Sequence, residues 1–208
     1  MSLEDRICRY ARRLVELELM ASASGNLSVR VDGRVLMTPT SCMKDELTPE
    51  DLVEVDMAGH RLRGDRPIST EGRMHLAIYQ QRPDVHAVVH AHPITVTALG
   101  IAEDAPQLAI TGEGADFVGE VGLVEWFIPG TEALASAVGR VSSHSDSIIL
   151  RHHGAVTCGA TLEDAFARMQ AFEHVAKIYL RAQQLGRVRE IDPRDVARMR
   201  SATQRKRG

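Results

Sequence analysis

Apolar residues recur first at helical spacing. Ile7, Tyr10, Ala11, Leu14 and Leu17 fall on one stripe, which predicts an amphipathic helix over residues 3–20. SASGN (22–26) breaks it. The period then shortens to two: NLSVRVDGRVLMTPT (26–40) reads as a hairpin around the Asp32-Gly33 turn pair. LVEVD (52–56) is a further strand, and EGRMHLAIYQQ (71–81) is a helix that Pro83 stops. VHAVVHAH (85–92), a near-continuous apolar run ending at Pro93, reads as a buried strand. Residues 94–100 form a short helix or turn, and LVEWFI (123–128) reads as a strand. Pro129-Gly130-Thr131 opens a helix over 132–140. SIILRHHGAVTC (147–158) gives a strand, a sharp turn at Gly154 and a returning strand. Thr161 with Asp164 makes a capping box for a long helix, 162–185, which Gly186 ends.

A short helix follows Pro193, and the chain closes on the basic, polar SATQRKRG. No linker or repeat interrupts this pattern. It predicts one α/β domain over 1–208, with residues 187–208 as a C-terminal short helix and polar tail, and the hairpins imply a mainly antiparallel sheet.

Composition narrows the class. With 208 residues the chain buries a core without disulfide staples, and 44% hydrophobic against 25% charged residues excludes disorder. A net charge of −3 and an aromatic share of 4% do not fit a nucleic-acid binder. No apolar run is long enough for a membrane span, and MSLEDRICRYARR has no apolar signal region. Cys8, Cys42 and Cys158 form no CxxC pair and no disulfide framework, so a reducing cytoplasm is expected.

Histidine is the departure, with nine in the chain. His90 and His92 end an apolar strand and share a face, so the two imidazoles can hold one metal ion or simply stand solvated at a strand end. His152-His153-Gly154 ends a second apolar run, and one of its imidazoles can meet the first pair; alone it is a surface turn. Glu71 follows Ser69-Thr70 at a helix start, where any carboxylate is comfortable. His75 lies one turn on and fits a supporting or core position better than a ligand. Together, three His and one Glu fill a tetrahedral site, and the carboxylate can leave the metal to act as a general base.

Ser24-Gly25-Asn26, Thr38-Pro39-Thr40-Ser41 and Ser69-Thr70 offer hydroxyls and backbone N–H groups in turns, with Lys44 nearby. Singly these are ordinary turn and cap residues; jointly they suit a phosphate. No Walker or GxGxxG pattern supports a nucleotide.

In order along the chain, SASGNLSVR, MTPT, STEGRMHLAIYQQRPDVHAVVHAH and ILRHHGAVTC resemble the class II aldolase/adducin family over residues 5–185. The segment Ser69 to His92 is the most specific part. The resemblance implies a central, largely antiparallel sheet between helix layers and a homotetramer with active sites between subunits. It implies one zinc ion, or another divalent metal, on His90, His92 and His153, with Glu71 as both metal ligand and catalytic acid/base. It implies a substrate phosphate held by Gly25, Asn26, Thr40, Ser41, Ser69 and Thr70; Ser41 stands where the family's aldolases have Gly.

Trp126 stands where those aldolases have a Tyr from a neighbouring subunit, and Asp116 is the candidate proton donor in its place. The implied function is a zinc-dependent lyase acting on a phosphorylated ketose, giving dihydroxyacetone phosphate and an aldehyde through a metal-stabilised enediolate. The alternative within the family is a 3-oxo-acid phosphate decarboxylase. Epimerase, dehydratase and non-catalytic adducin-like binding readings rank below it. The expected partners are a phosphorylated sugar or keto-acid substrate, with no nucleic acid and no membrane.

Overall fold

The computed structural model describes residues 1–102 and 106–207. It contains six α-helices: α1 Leu3–Glu16, α2 Gly72–Gln81, α3 Ile94–Ile101, α4 Glu132–Ser142, α5 Leu162–Leu185 and α6 Pro193–Arg207. Eight strands, β1 Asn26–Val31, β2 Arg34–Met37, β3 Val53–Asp56, β4 Arg61–Arg63, β5 Ala87–Ala91, β6 Val121–Val124, β7 Ser147–Leu150 and β8 Gly154–Gly159, form one sheet. Its order is β4-β3-β2-β1-β5-β8-β7-β6. Every neighbouring pair is antiparallel except β6 with β7. The expected α/β class and mainly antiparallel sheet are therefore present.

The sheet is covered on both faces, so the strand alternation sorts side chains into two cores. Leu27, Val29, Ala87, Val89 and Ala91 pack with Ile7, Leu14, Val96, Phe166 and Phe172, which come from α1, α3 and α5. Val88, Ile148 and Val156 pack with Met74, Ile78, Leu134 and Val138, which come from α2 and α4. Asn26, Ser28 and His90 stand at alternate positions with these second residues, so their polar groups face α2.

Several predicted boundaries shift, each for a local reason. α1 stops at Glu16 rather than near residue 20 because Glu18 turns left-handed (φ 56°), with the Leu19 N–H bonded to the Leu14 carbonyl at 2.9 Å. The strand expected over 123–128 is instead Val121–Val124. It pairs only with β7, whose last residue Leu150 lies opposite Val124. Trp126 and Ile128 beyond it are 52% and 68% exposed, so apolar character there marks a surface loop. The expected short C-terminal helix runs to Arg207, through most of the segment read as a tail; Gly208 lies outside the described residues. β4 is wholly exposed and carries no apolar alternation, which is why its sequence gives no strand signal. No helix among the described residues is long and apolar enough to cross a membrane.

Two capping interactions hold the N-termini of α5 and α3. Thr161 Oγ1 accepts from the Asp164 N–H at 3.1 Å, as its capping pattern predicts. Less expected is Glu173, buried on α5. Its carboxylate accepts from the Thr95 and Val96 N–H groups at 3.0–3.1 Å and from the Thr95 hydroxyl at 2.8 Å. It thus satisfies the N-terminus of α3, the helix that begins two residues after His92. Glu173→Gln turns one acceptor oxygen into a donor facing donors. Hydrogen bonds to charge contribute about 1.5–3 kcal/mol, so the melting temperature is expected to fall by roughly 5–10 °C. An unchanged melt would mean that this carboxylate does not hold α3.

Candidate metal centre

The register brings the predicted site residues to one end of the sheet. Asn26 pairs with His90 at the β1–β5 step, and Ala155 opposes Ala91 at the β5–β8 step. The start of β1, the ends of β2 and β5 and the β7–β8 turn therefore lie side by side. Gly25 is needed there for a close approach: its φ is +64°, and a Cβ would stand 2.7 Å from the His90 carbonyl. Gly154 makes the matching approach on the other side, where a Cβ would lie 2.6 Å from the His92 ring. His152 takes a left-handed conformation (φ 56°) in the tight turn after β7, and the following residue, His153, is the one directed inward.

His90, His92 and His153 converge with metal-ligating atoms within 4.8 Å of one another. Glu71, just before α2, adds its carboxylate: Oε2 lies 3.1 Å from His90 Nε2 and Oε1 lies 3.3 Å from His153 Nε2. The Nε2 atoms of His90 and His92 approach to 3.1 Å. Ligands 2.0–2.1 Å from a tetrahedral zinc ion stand about 3.3 Å apart, which these three separations approach. The donor chemistry agrees. His90 Nδ1–H donates to the Ala155 carbonyl at 2.9 Å, which leaves its Nε2 as the ring nitrogen facing inward. Glu71 Oε1 is buried with no hydrogen-bond donor. A divalent cation satisfies such an orphaned oxygen.

Electrostatics keep the set ready for a cation. Burial would push the Glu71 carboxyl up, but the imidazoles of His90 and His153 and the Asn26 amide outweigh it and hold the group well below the usual carboxylate range. Burial and the neighbouring imidazoles push His92 down to about 3, and burial and His90 push His153 down to about 4.

His75 is not among the converging imidazoles. Fully buried on α2, and pushed down to about 3 by that burial, it bonds Asn26 and Ser28 instead.

The phosphate candidates surround the same end. Ser69 Oγ accepts from the Glu71 N–H at 3.3 Å, and Thr70 is exposed beside Gly130, whose Cβ would lie 3.1 Å from the Thr70 carbonyl. Thr40 and Ser41 follow β2, and Ser41 keeps the left-handed backbone (φ 53°) that Gly adopts freely. Lys44 is buried, with its ammonium on the Cys42 carbonyl at 3.0 Å. Asp116 is not brought to this centre within its own chain. It lies in the π-helical turn Gly114–Val118 before β6, at the opposite end of the sheet, and would meet a metal centre only across a subunit boundary.

Sequence reading missed Ser28 and Tyr79, which bond the His75 side of the site. Their signal was polar groups at strand spacing (Asn26, Ser28) facing polar groups at helical spacing (Glu71, His75, Tyr79).

Comparison with known proteins agrees with this geometry. The model of the Class II Aldolase and Adducin N-terminal domain matches residues 5–180. An L-fuculose phosphate aldolase of Methanococcus vannielii is 36% identical over 178 residues, covering 86% of this chain and 95% of that one. A 3-oxo-tetronate 4-phosphate decarboxylase of Escherichia coli O6:H1 is 32% identical over 182 residues, 85% of each chain. A solved L-fuculose 1-phosphate aldolase superimposes with a TM-score of 0.92 at 28% identity, over 97% of this chain and 96% of that one. With its fold, its imidazole cluster and these relatives in agreement, the chain belongs to the class II aldolase and adducin N-terminal domain family and is an aldolase-type enzyme of that metal-dependent group.

Proposed function

We propose that the protein is a zinc-dependent lyase that cleaves a phosphorylated ketose into dihydroxyacetone phosphate and an aldehyde. The observation that carries this reading is the Glu71 carboxylate set among three imidazoles, one of its oxygens buried without a hydrogen-bond donor. His90, His92 and His153 would hold the ion, with Glu71 as the ligand that substrate displaces. When bound, the ion supplies Lewis acidity that polarises the substrate carbonyl. Gly25, Asn26, Thr40, Ser41, Ser69 and Thr70 would hold the phosphate through hydroxyls and backbone N–H groups.

In the cleavage direction a substrate hydroxyl gives its proton to Glu71. The carbon–carbon bond beside it breaks, and its electron pair stays on the dihydroxyacetone half. Glu71 then returns the proton to that carbon. The carboxylate is suited to this shuttle because it starts ionised and its Oε1 is uncommitted. The enzyme would work in the cytoplasm as a homotetramer, a neighbouring copy completing each site.

Trp126 favours a second reading. It has no phenolic hydroxyl to assist Glu71 at the aldehyde oxygen, and it is 52% exposed at the site end of β6. Decarboxylation of a 3-oxo-acid phosphate does not require that donor, and one group of relatives carries that activity in its name. The test is one zinc-loaded preparation given L-fuculose 1-phosphate and its isomers, and separately 3-oxo-tetronate 4-phosphate. Dihydroxyacetone phosphate is the expected product. Carbon dioxide alone would establish the decarboxylase, and neither product would overturn both readings.

A further inference from the structure

Behind Glu71 runs a chain of buried side chains joining α2 to β1. Asn26 Nδ2 donates to Glu71 Oε2 at 3.0 Å. Asn26 Oδ1 lies 2.5 Å from His75 Nε2, and His75 Nδ1 lies 2.7 Å from Ser28 Oγ. Ser28 Oγ in turn lies 2.7 Å from the Tyr79 hydroxyl, which also stands 3.0 Å from the Ser28 carbonyl. The fit is metrical: one i to i+4 step of a helix rises about 6 Å, and two residues of a strand about 6.6 Å. Glu71, His75 and Tyr79 therefore stay in step with Asn26 and Ser28.

The hydrogens in this chain have one consistent direction. An ionised carboxylate only accepts, so Asn26 must turn its NH₂ to Glu71 and its oxygen to His75. His75 must then carry its hydrogen on Nε2, which leaves a bare Nδ1. The Ser28 hydroxyl must donate to that nitrogen, and its remaining lone pairs face the Tyr79 hydroxyl. Every donor points toward Glu71. A reversed Asn26 would set its oxygen against the carboxylate, and the N–H of His75 is what forbids that.

We propose that His75 is a positioning residue: acting through Asn26, it commits Glu71 Oε2 to a hydrogen bond and leaves Oε1 as the oxygen that gives and takes the proton. The hydrogen bond lowers the basicity of Oε2, whereas Oε1 has no donor. The carboxylate then turns the same oxygen to the reaction in every cycle. This assignment rests on the role given to Glu71 above, but its tests are separable from substrate turnover.

The first test is the tautomer of His75 in the metal-free protein, read from nitrogen–proton correlation spectra. The Nε2–H form is expected, and an Nδ1–H form overturns the proposal without any substitution. The second compares His75→Leu with His75→Gln, whose side-chain amide keeps an N–H where Nε2 stands. Loss of an outer partner of a metal ligand costs about 10–100-fold in affinity or activity. His75→Leu is therefore expected to lower both kcat and the zinc affinity of the metal-free protein by that factor, with KM nearly unchanged, and His75→Gln to recover most of both. A Leu variant with wild-type kcat and zinc affinity overturns the proposal, as does a Gln variant as impaired as a folded Leu variant. If the Leu variant does not fold, the tautomer decides. A wild-type protein inactive on every phosphate ester tried would fail the lyase reading, yet the tautomer and the zinc titration would still judge His75.

Discussion

Replacing Glu71 by Gln is expected to remove turnover, by about 10²–10⁴-fold in kcat, in a protein that still folds. Gln has the same shape and keeps an oxygen for the Asn26 N–H that now meets Oε2 at 3.0 Å. Its NH₂ falls where Oε1 now lies, 3.3 Å from His153 Nε2, so packing around the 8%-exposed side chain is preserved. What disappears is the capacity to take up a proton and give it back. An amide is also a poorer ligand than a carboxylate, so zinc content must be measured beside the rate. The decisive preparation is a Glu71→Gln protein brought to full zinc occupancy and shown to bind inorganic phosphate as the wild type does. Loss of turnover in that protein places the proton on Glu71. Turnover within a few-fold of wild type would remove Glu71 from the chemistry and leave it a ligand only.

How much of this centre was legible from the sequence follows from which contacts are local. The His-x-His pair at positions 90 and 92 was visible because strand alternation alone puts both rings on one side. His153 was visible as an imidazole beside a glycine at the end of an apolar run; choosing it over His152 needs the left-handed turn. The long helix was readable from its cap, Thr161, and its stop, Gly186. The Asn26–His75–Ser28–Tyr79 chain was not read, although its members sit at helical and strand spacings, because pairing β1 with α2 is a tertiary event. Asp116 is a different case. It is the candidate to replace a residue that the resemblance assigns to a neighbouring subunit, and in its own chain β6, joining β7 in parallel, carries it to the far end of the sheet. Apolar character at Trp126 and Ile128 predicts a strand, but the loop that holds them is exposed.

Stripping the metal with a chelator should abolish turnover and lower the melting temperature, and adding zinc should restore both. The thermal effect follows from mass action. An ion held at 1,000 times its dissociation constant stabilises the fold by about 4 kcal/mol, or on the order of 10 °C for a chain of this size. pH gives the prediction its sign. His92 and His153 in the metal-free protein lie at about 3 and about 4, below the ordinary imidazole value of 6.5. Near neutral pH these two are already unprotonated, so neither has a proton to release when the ion enters. At these two ligands protons should then compete with zinc only as pH falls toward 4. The metal-free fold has the same dependence: in the unfolded chain both imidazoles charge from 6.5 downward, so the stability present above that value is lost as pH falls toward 4 and then 3. Calorimetric zinc titrations at several pH values, paired with melts of the metal-free protein, measure both. A drop in affinity between pH 8 and 6.5 steeper than the loss of one proton can produce would mean that His92 and His153 are protonated in the folded protein, and that the cluster is not preorganised for a cation.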